Sequence, residues 1–333
     1  MLARSLLDAG ISHQLAGRIA DAIDAFAGAA EQSALDNDSS TRSEACRRLG
    51  ILHHLRGEPA AAAALCQQAL LMARGAGQDH LAAEALNALA GFDLERGAMG
   101  MAEERYQIAL QLSAGNSGIT ARIRQNLGIL ANIQGGIDVA MEHYLAALAA
   151  FEEVGDAAGL ARVHHNLGLL NVAHMQWTAA DEHFGRALVT AVAIGDRHLQ
   201  GLCLINQAEM HVAHGRYDVA RQHAEEALAI FDGLDARLEQ AVAYRVLGMI
   251  FRENNRPVLA ESRLRSAVEM AVGTSSRLTE AEANRELGRL YERTGRTVDA
   301  LRQFERAEEL FIGIGARTDW EDMVARRGRL ALA

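Results

Sequence analysis

The sequence predicts an all-α solenoid, in which helix pairs stack one after another along the chain. The first observation is a short motif that returns every 40 residues, with a single step of 38. A fixed period of this length is typical of repeat proteins, whose units pack only against their neighbours. The second observation is the composition, since 50% of the residues are hydrophobic but only 5% are aromatic and two are proline. Such a composition favours closely packed helices over sheets.

The first helix of each unit carries a small residue, usually preceded by leucine, that marks the phase of the repeat. We call this residue the marker; it is Gly10, Gly50, Ala90, Gly128, Gly168, Ala208, Gly248, Gly288 and Gly328 in successive units. A residue with little or no side chain lets a second helix approach closely. The marker therefore predicts where the two helices of a unit touch.

A tight turn is predicted seven residues after the marker. The residues there are Gly17, Gly57, Gly97, Gly135, Met175, Gly215, Asn255 and Gly295, with methionine as the exception. Glycine accepts the positive φ that such turns need. Pro59 and Pro257 each follow the turn residue by two positions, where the first turn of a helix tolerates proline best. These prolines predict the start of the second helix.

The second helix has alanine, a larger residue and alanine again at a spacing of four and then three. The larger residues are Phe26, Cys66, Tyr106, Tyr144, Phe184, Leu264 and Phe304, with Ala224 as a small exception. This spacing places all three positions on one face of a helix. We expect the larger side chain to fill the gap between the two helices of the unit.

This pattern resembles the tetratricopeptide repeat family over essentially the whole chain. The resemblance implies one domain, a right-handed α-solenoid of about eight units, over residues 1–318. The residues in excess of the basic unit of about 34 residues are expected in the loops between units. Residues 319–333 repeat the first-helix phase and are polar on one side. They are expected to form either a C-terminal capping helix or the first helix of a truncated ninth repeat.

Charge and cysteine content limit the classes of function. A net charge of −10 disfavours nucleic-acid binding, which depends on basic surfaces. We expect no membrane anchor and no signal peptide, because no run of 18 apolar residues is present and Met1 leads straight into the first repeat. Cys46, Cys66 and Cys203 fall at helical positions of the repeats, which favours reduced core residues and a cytoplasmic protein. All 33 basic residues are arginine, which favours a bacterial genome of high G+C content.

No catalytic or cofactor-binding motif is present, so we predict a non-enzymatic protein without a cofactor. His143, His183 and His223 recur at one position of successive second helices. Packed helices lie about 8–10 Å apart, whereas metal ligands lie about 2 Å from their ion. The spacing therefore favours a surface ladder over a metal site. His211 and His214 could chelate weakly but have no evident third ligand.

The resemblance also implies a binding site, because the first helices line the concave groove in this family. The groove positions in the middle of the chain hold Arg122, Gln125, Asn126, Asn132, Arg162, His165, Asn166, Asn206 and Glu209. Asn126, Asn166 and Asn206 repeat at one phase, and an amide can donate to and accept from a peptide backbone at once. The alternative is that these amides bond neighbouring backbone groups. Arg122 and Arg162 could pair with carboxylates of a partner.

The residue directly after the marker is apolar in most units. Examples are Ile11, Ile51, Ile129, Leu169 and Met249. These side chains predict apolar contact points in the groove, some of which belong partly to the core.

The runs at 121–128 and 160–168 are similar to a tetratricopeptide subclass with a 40-residue period and Asn-Leu-Gly in each unit, as in Pins/LGN scaffolds. Rap-type peptide sensors and MalT-type regulators of bacteria are also similar. The resemblance implies an adaptor, or the sensory module of a bacterial signalling protein, that binds a protein or an extended peptide. The alternative is a regulator of the MalT kind that responds to a small ligand. Self-association is also possible. The outer repeats lack the amide, since Val246 and Glu286 stand at the phase that asparagine occupies at Asn126, Asn166 and Asn206.

Overall fold

The computed structural model describes residues 1–331, which form 17 α-helices. The helices are α1 Leu2–Leu15, α2 Ile19–Leu35, α3 Ser39–Leu55, α4 Pro59–Gly75, α5 Asp79–Glu95, α6 Met99–Leu112, α7 Ser117–Ile133, α8 Ile137–Val154, α9 Ala157–Ala173, α10 Trp177–Ile194, α11 Arg197–Ala213, α12 Tyr217–Gly233, α13 Arg237–Glu253, α14 Pro257–Gly273, α15 Arg277–Arg293, α16 Thr297–Ile314 and α17 Arg317–Ala331. They form eight consecutive antiparallel pairs followed by α17, so the predicted all-α repeat architecture is confirmed.

The chain divides into two compact parts, Met1–Asn166 and Leu167–Ala333, called here the N-terminal half and the C-terminal half. In each pair, the odd-numbered helix is the first helix and the even-numbered helix is the second. The last helix begins at Arg317, two residues before the expected start of the terminal segment. Residues 332 and 333 of that segment lie outside the described residues.

The turns inside the helix pairs have the predicted left-handed backbone. The glycines at these turns have φ between 70° and 80°, as at Gly215 and Gly97. Met175, the sequence exception, has the same conformation with φ of 56°, and Asn255 has φ of 55°. The fold therefore imposes this backbone even where the side chain disfavours it by about 1–2 kcal/mol.

The loops between pairs end one helix and start the next within a few residues. Gly155 and Gly195 end α8 and α10 with φ of 67° and 73°. The carboxylate of Asp196 then accepts a hydrogen bond from the backbone N–H of Leu199, at 3.0 Å, and caps α11. Such a cap satisfies an N–H group that has no partner within the helix. Asp38, Asn116 and Asp156 accept the equivalent hydrogen bonds at the starts of α3, α7 and α9.

The marker contact holds each pair together, as predicted. A Cβ atom added at Gly128 would lie 2.6 Å from the ring of Tyr144, and one added at Gly288 would lie 2.6 Å from the ring of Phe304. Both aromatic side chains are fully or almost fully buried. Contacts this close leave no room for a methyl group, so the glycine and the ring are complementary.

Two further close contacts involve glycines that the sequence analysis did not single out. A Cβ atom added at Gly201 of α11 would lie 2.5 Å from the ring of Phe231 on α12, within one pair, whereas one added at Gly159 of α9 would lie even closer to the ring of Phe151 on α8, in the preceding pair. Both phenylalanines are completely buried. The Gly159 contact therefore joins two neighbouring pairs.

The three cysteines are free and buried, as predicted. Burial raises the pKa of the Cys66 and Cys203 thiols to about 12. These thiols are therefore protonated packing residues at neutral pH. Separately, none of the described helices has the length and apolar character that crossing a membrane requires.

Candidate binding face

The predicted groove residues lie on the first helices, at or near the surface. We call this surface of the odd-numbered helices the first-helix face. The N-terminal half holds Arg122, Gln125, Asn126 and Asn132 on α7 and Arg162, His165 and Asn166 on α9, and the C-terminal half holds Asn206 and Glu209 on α11. The two arginines are exposed, and the other seven residues are half-buried. These positions are accessible, as a binding surface requires.

Arg122 is held by an ion pair with the preceding first helix. Its Nη2 atom lies 2.5 Å from Oε1 of Glu84 on α5. The other carboxylate oxygen of Glu84 lies 2.8 Å from Nη2 of Arg47 on α3. The ion pair with Glu84 orders the side chain of Arg122 but also neutralises part of its charge. A carboxylate of a partner would have to share the guanidinium with Glu84.

Arg162 differs from Arg122 because it is exposed and has no ion-pair partner among residues 1–331. Its full charge is therefore available at the surface of α9. An arginine of this kind can take a carboxylate with two parallel hydrogen bonds.

Asn126 bonds to a side chain that the sequence analysis missed. Its Nδ2 donates to Oδ1 of Asn87 on α5, at 2.9 Å. Each amide has two donor hydrogens and an acceptor oxygen, so this bond leaves capacity on both residues. Asn87 lies three residues before its marker and Asn126 two before its own. Only asparagines at one phase of the repeat, that of Asn126, were compared in the sequence, which is why Asn87 was not found.

Apolar side chains accompany these polar residues. Ile51 and Ile129, which directly follow their markers in the N-terminal half, are half-buried. In the C-terminal half, Met249 is half-buried and Leu169 is 39% exposed. The first-helix face of each half thus combines polar groups with apolar contact area.

In the C-terminal half, ion pairs link the first helices α11, α13 and α15. Glu209 pairs with Nη2 of Arg245 on α13, and Arg245 also lies 3.5 Å from Glu282 on α15. Burial alone would lower the pKa of Arg245, but the carboxylates of Glu209, Glu282 and Glu286 raise it above its ordinary value. Arg245 therefore stays charged although it is only 7% exposed.

Glu286 is the centre of the next ion-pair cluster. Its side chain is 1% exposed and lies 2.5 Å from Arg252, 2.7 Å from Arg289 and 3.5 Å from Arg285. Burial by itself would raise the pKa of Glu286, but the three arginines lower it below its ordinary value. A buried carboxylate with several cationic partners is costly to disrupt.

A cavity of about 560 Å³ opens between the helix pairs α3–α4 and α5–α6. Its lining includes Phe92, which stacks on His54 with ring centroids 4.2 Å apart. It also includes Asp93, 2% exposed, whose carboxylate lies 2.6 Å from Arg96 and 2.5 Å from Arg105. A pocket of this size with a few convergent polar groups could hold a small molecule.

The ladder histidines are half-buried, and one of them faces another histidine. His223 on α12 lies with its ring centroid 5.3 Å from that of His211 on α11. Nδ1 of each ring is buried without a hydrogen bond. His214 instead bonds to the carbonyl oxygen of Met210, at 2.9 Å. Among the described residues, no three His, Cys, Asp or Glu side chains are arranged to hold a metal ion.

The environment of this pair disfavours protonation. Burial lowers the pKa of His211, and Arg216, His223 and His214 lower it further, whereas Asp181 acts in the opposite direction. Burial also lowers the pKa of His223, against the charges of Glu226 and Asp181. Both rings are therefore neutral at pH 7.

We expect the protein to lose stability as the pH falls from about 7 towards 5. An unfolded histidine titrates near pH 6.5, and the folded pKa is lower. The unfolded state then binds more protons in this window, so stability is complete above the unfolded pKa and is lost as the pH falls towards the folded value. Urea unfolding midpoints across this range measure the effect.

The His211→Gln variant should have a flatter pH profile than the wild-type protein. His80→Gln, at an exposed position on α5, is the control and should keep the wild-type profile. An unchanged slope in the His211→Gln variant would contradict the assignment.

Comparisons with known proteins agree with this architecture. The family model of the tetratricopeptide repeat matches residues 159–233 and 204–272. The sequence has no significant match among proteins of curated function.

Solved structures with the same fold cover most of the chain. One is a Rap protein complexed with competence and sporulation factor, with 11% identity and a TM-score of 0.66 over 99% of this chain and 97% of that one. Another is BtubC from P. vanneervenii, with 20% identity and a TM-score of 0.57 over 64% of this chain and 91% of that one. At these identities, the similarity concerns the fold alone.

A third structure is a signal transduction ATPase with numerous domains from Pyrococcus horikoshii, which has a tetratricopeptide repeat sensor. It has 12% identity and a TM-score of 0.64 over 92% of this chain and 52% of that one, so this chain spans about half the length of that protein. The family match lies within residues 159–272, and the same helix pair with its marker contact recurs from Gly10 to Phe304. Residues 159–272 therefore consist of tetratricopeptide repeats.

Proposed function

We propose that this chain is a non-enzymatic binding protein that holds an extended peptide, or an extended segment of a partner protein, on its first-helix face. The observation that carries the proposal is the amide pair Asn87–Asn126, which keeps hydrogen-bonding capacity at an accessible position. Extended peptides present unpaired N–H and C=O groups that such amides can bind. The exposed guanidinium of Arg162 and the apolar Ile129 beside the amides support the same surface.

The chain would act as an adaptor or as the sensory module of a bacterial signalling protein. Two proteins of the same fold support this assignment by their descriptions, one being complexed with a competence and sporulation factor and the other having a repeat sensor. A cytoplasmic location is supported by the buried, free cysteines, which suit a reducing compartment. The net charge of −10 favours protein partners over nucleic acids.

The experiment begins with a random peptide library displayed on phage and selected on the purified chain. A selected peptide is then titrated against the wild-type protein and the double variant Asn126→Ala, Asn166→Ala. The variant loses hydrogen bonds worth about 0.5–1.5 kcal/mol each, so we expect an affinity loss of at least about tenfold. The melting temperature should change little, because both side chains are only half-buried.

The matched control is the double variant Gln107→Ala, Gln111→Ala, which removes two exposed amides from α6, a second helix of the same half. It should bind the peptide like the wild-type protein. Equal losses in both double variants, or a collapse of the melting temperature in the asparagine variant, would contradict the proposal.

The second candidate function is a regulator of the MalT kind that responds to a small ligand. The cavity beside Phe92, Arg96 and Arg105 favours this candidate, because it joins an aromatic ring to two cationic groups. Native mass spectrometry of the purified chain separates the two functions. A co-purified metabolite that Arg105→Ala abolishes would favour the cavity, whereas a bound peptide would favour the first-helix face.

A further inference from the structure

The cavity between the pairs α3–α4 and α5–α6 combines an apolar lining with a cationic cluster. Its volume of about 560 Å³ lies in the range of sites for small organic molecules. The apolar lining includes Leu89 and Phe92 from α5 and Ala63 and Ala64 from α4. The ring of Phe92 is held in place by its stacking on His54. Because the two alanines are small, the space beside this ring is open to the apolar body of a ligand.

The cationic cluster consists of two guanidinium groups and one carboxylate. Oδ1 of Asp93 lies 2.6 Å from Arg96, and Oδ2 lies 2.5 Å from Arg105. Two cations thus share one anion, which leaves one positive charge in the cluster without a counter-charge. Glu95 also lines the cavity, but it lies 2.6 Å from His54 and its side chain is 66% exposed. Water therefore screens the charge of Glu95.

Both arginines keep hydrogen-bond donors for a second acceptor. A guanidinium has five N–H groups, and the ion pair with Asp93 uses one nitrogen of each arginine. The side chains of Arg96 and Arg105 are 59% and 27% exposed, so a ligand can reach them. A cationic ligand would instead have to displace an arginine from Asp93, which is 2% exposed. Breaking a buried ion pair is costly, so the cluster favours an anion.

The pairing of Asp93 with Arg105 is not a requirement of the repeat. These residues lie three and fifteen positions after the marker, and the same two positions also meet in the contact of His211 with His223. The other units have different residue pairs there, namely His13 and Ala25, His53 and Leu65, Ala131 and His143, Asn171 and His183, His211 and His223, Phe251 and Arg263, and Tyr291 and Gln303. A buried ion pair is often no more stable than apolar residues of similar volume. The packing of the repeat therefore does not explain the buried charge at Asp93.

We propose that this cavity binds a small organic anion whose apolar body packs on Leu89 and Phe92 and whose carboxylate or sulfonate group binds Arg96 and Arg105. Such a group accepts charge-assisted hydrogen bonds from both guanidinium groups, whereas a neutral molecule with the same body does not. This ligand class rests on the second candidate function, which uses the same cavity. It does not depend on peptide binding at the first-helix face.

The test compares two fluorescent probes that have the same aromatic rings and are titrated separately into the full chain. Anilinonaphthalene sulfonate carries an anionic group, and phenylnaphthylamine is the same compound without the sulfonate. Both probes become brighter in apolar surroundings, so a fluorescence titration measures each affinity. We expect saturable binding of the sulfonate probe to the wild-type chain.

The decisive variant is Arg105→Gln, which removes one guanidinium and leaves Asp93 paired with Arg96. It should bind the sulfonate probe about tenfold more weakly, equivalent to about 1.4 kcal/mol, and bind the neutral probe like the wild-type chain. Arg42→Gln is the matched control, because Arg42 lines a separate cavity of about 460 Å³. It should leave the affinity for both probes unchanged. Ala64→Phe fills the cavity from an exposed position on α4, leaves the cationic cluster intact and should weaken the binding of both probes.

The outcomes separate the ligand class from the site. If Arg105→Gln binds the sulfonate probe like the wild-type chain, or weakens both probes equally, the anionic ligand class is overturned and the cavity remains a site for a neutral molecule. If the sulfonate probe does not bind saturably, or if Ala64→Phe leaves the binding of both probes unchanged, the cavity itself is contradicted as a binding site. The second candidate function would then fall with it.

Discussion

The Gly168→Ala variant is expected to lose about 3 kcal/mol of unfolding free energy, because overpacking a tight core costs about 1–3 kcal/mol and occasionally more. The added methyl group would lie 2.5 Å from Cε1 and 2.6 Å from Cδ1 of Phe184. The ring is completely buried and cannot turn away into solvent. Either the ring leaves its rotamer or the two helices of the pair move apart.

The Phe184→Ala variant should be destabilised by about 3–5 kcal/mol, because it leaves a cavity in the core. The double variant should cost clearly less than the sum of the two single changes, since each change relieves the defect of the other. The chain contains the equivalent natural pair, because Ala208 faces α12 at the position of Ala224, which is also completely buried. Urea denaturation of the four proteins in the cycle measures the coupling.

Gly185→Ala is the control for the effect of alanine itself, because its added methyl group meets nothing within 4 Å. It should be neutral or slightly stabilising, since alanine favours helix more than glycine does. Additive costs in the double variant would show that the marker and the ring are not in direct competition for space.

The repeat was predictable because it depends on side-chain size at fixed spacing. A small marker, a turn and a large residue 16 positions later can be counted along the chain without knowing any contact. The contacts of Gly159 with Phe151 and of Gly201 with Phe231 were not found, because each occurs once and does not recur at the period of the repeat. At Met175 the residue type does not predict the backbone, since methionine does not favour the φ of 56° that the surrounding turn imposes.

The candidate site was predictable only in part, for a geometric reason. The positions of Arg122 and Asn126 on the first-helix face follow from the phase of the repeat. Glu84, the partner of Arg122, lies 38 residues earlier and at the same phase, because the local step of the repeat is 38. Asn87, the partner of Asn126, lies 39 residues earlier and is one position out of phase. Comparing identical residues at one phase of the repeat therefore misses bonds between residues of different types or at different phases.

The interpretation of Glu286 shows the same limit. In the sequence, Glu286 interrupts the series of asparagines at the phase of Asn126. In the structure, Glu286 is a buried carboxylate between three arginines. Burial and ion pairing are properties of the folded chain, and the residue type at one position does not reveal them.

The Glu286→Gln variant should lose about 3 kcal/mol of unfolding free energy at pH 7.5, because breaking a buried ion pair costs about 3–5 kcal/mol. Glutamine keeps the shape of the side chain but not its charge. Arg252, at 2.5 Å, then loses its closest anionic partner while remaining only 9% exposed. The control is Glu309→Gln, since Glu309 is 63% exposed and lies 3.4 Å from Arg306. An exposed pair of this kind contributes about 0–1 kcal/mol.

The pH dependence of this loss provides an independent check on the role of Glu286. Its arginine partners lower its folded pKa, whereas an unfolded glutamate titrates near pH 4.3. The stabilisation is therefore complete above the unfolded pKa and is lost as the pH falls through the folded value. The difference between wild-type and Glu286→Gln unfolding free energies should accordingly shrink at pH values below about 4. A difference that stays constant as the pH falls well below 4 would mean that glutamine weakens packing and that the charge of Glu286 contributes little to stability.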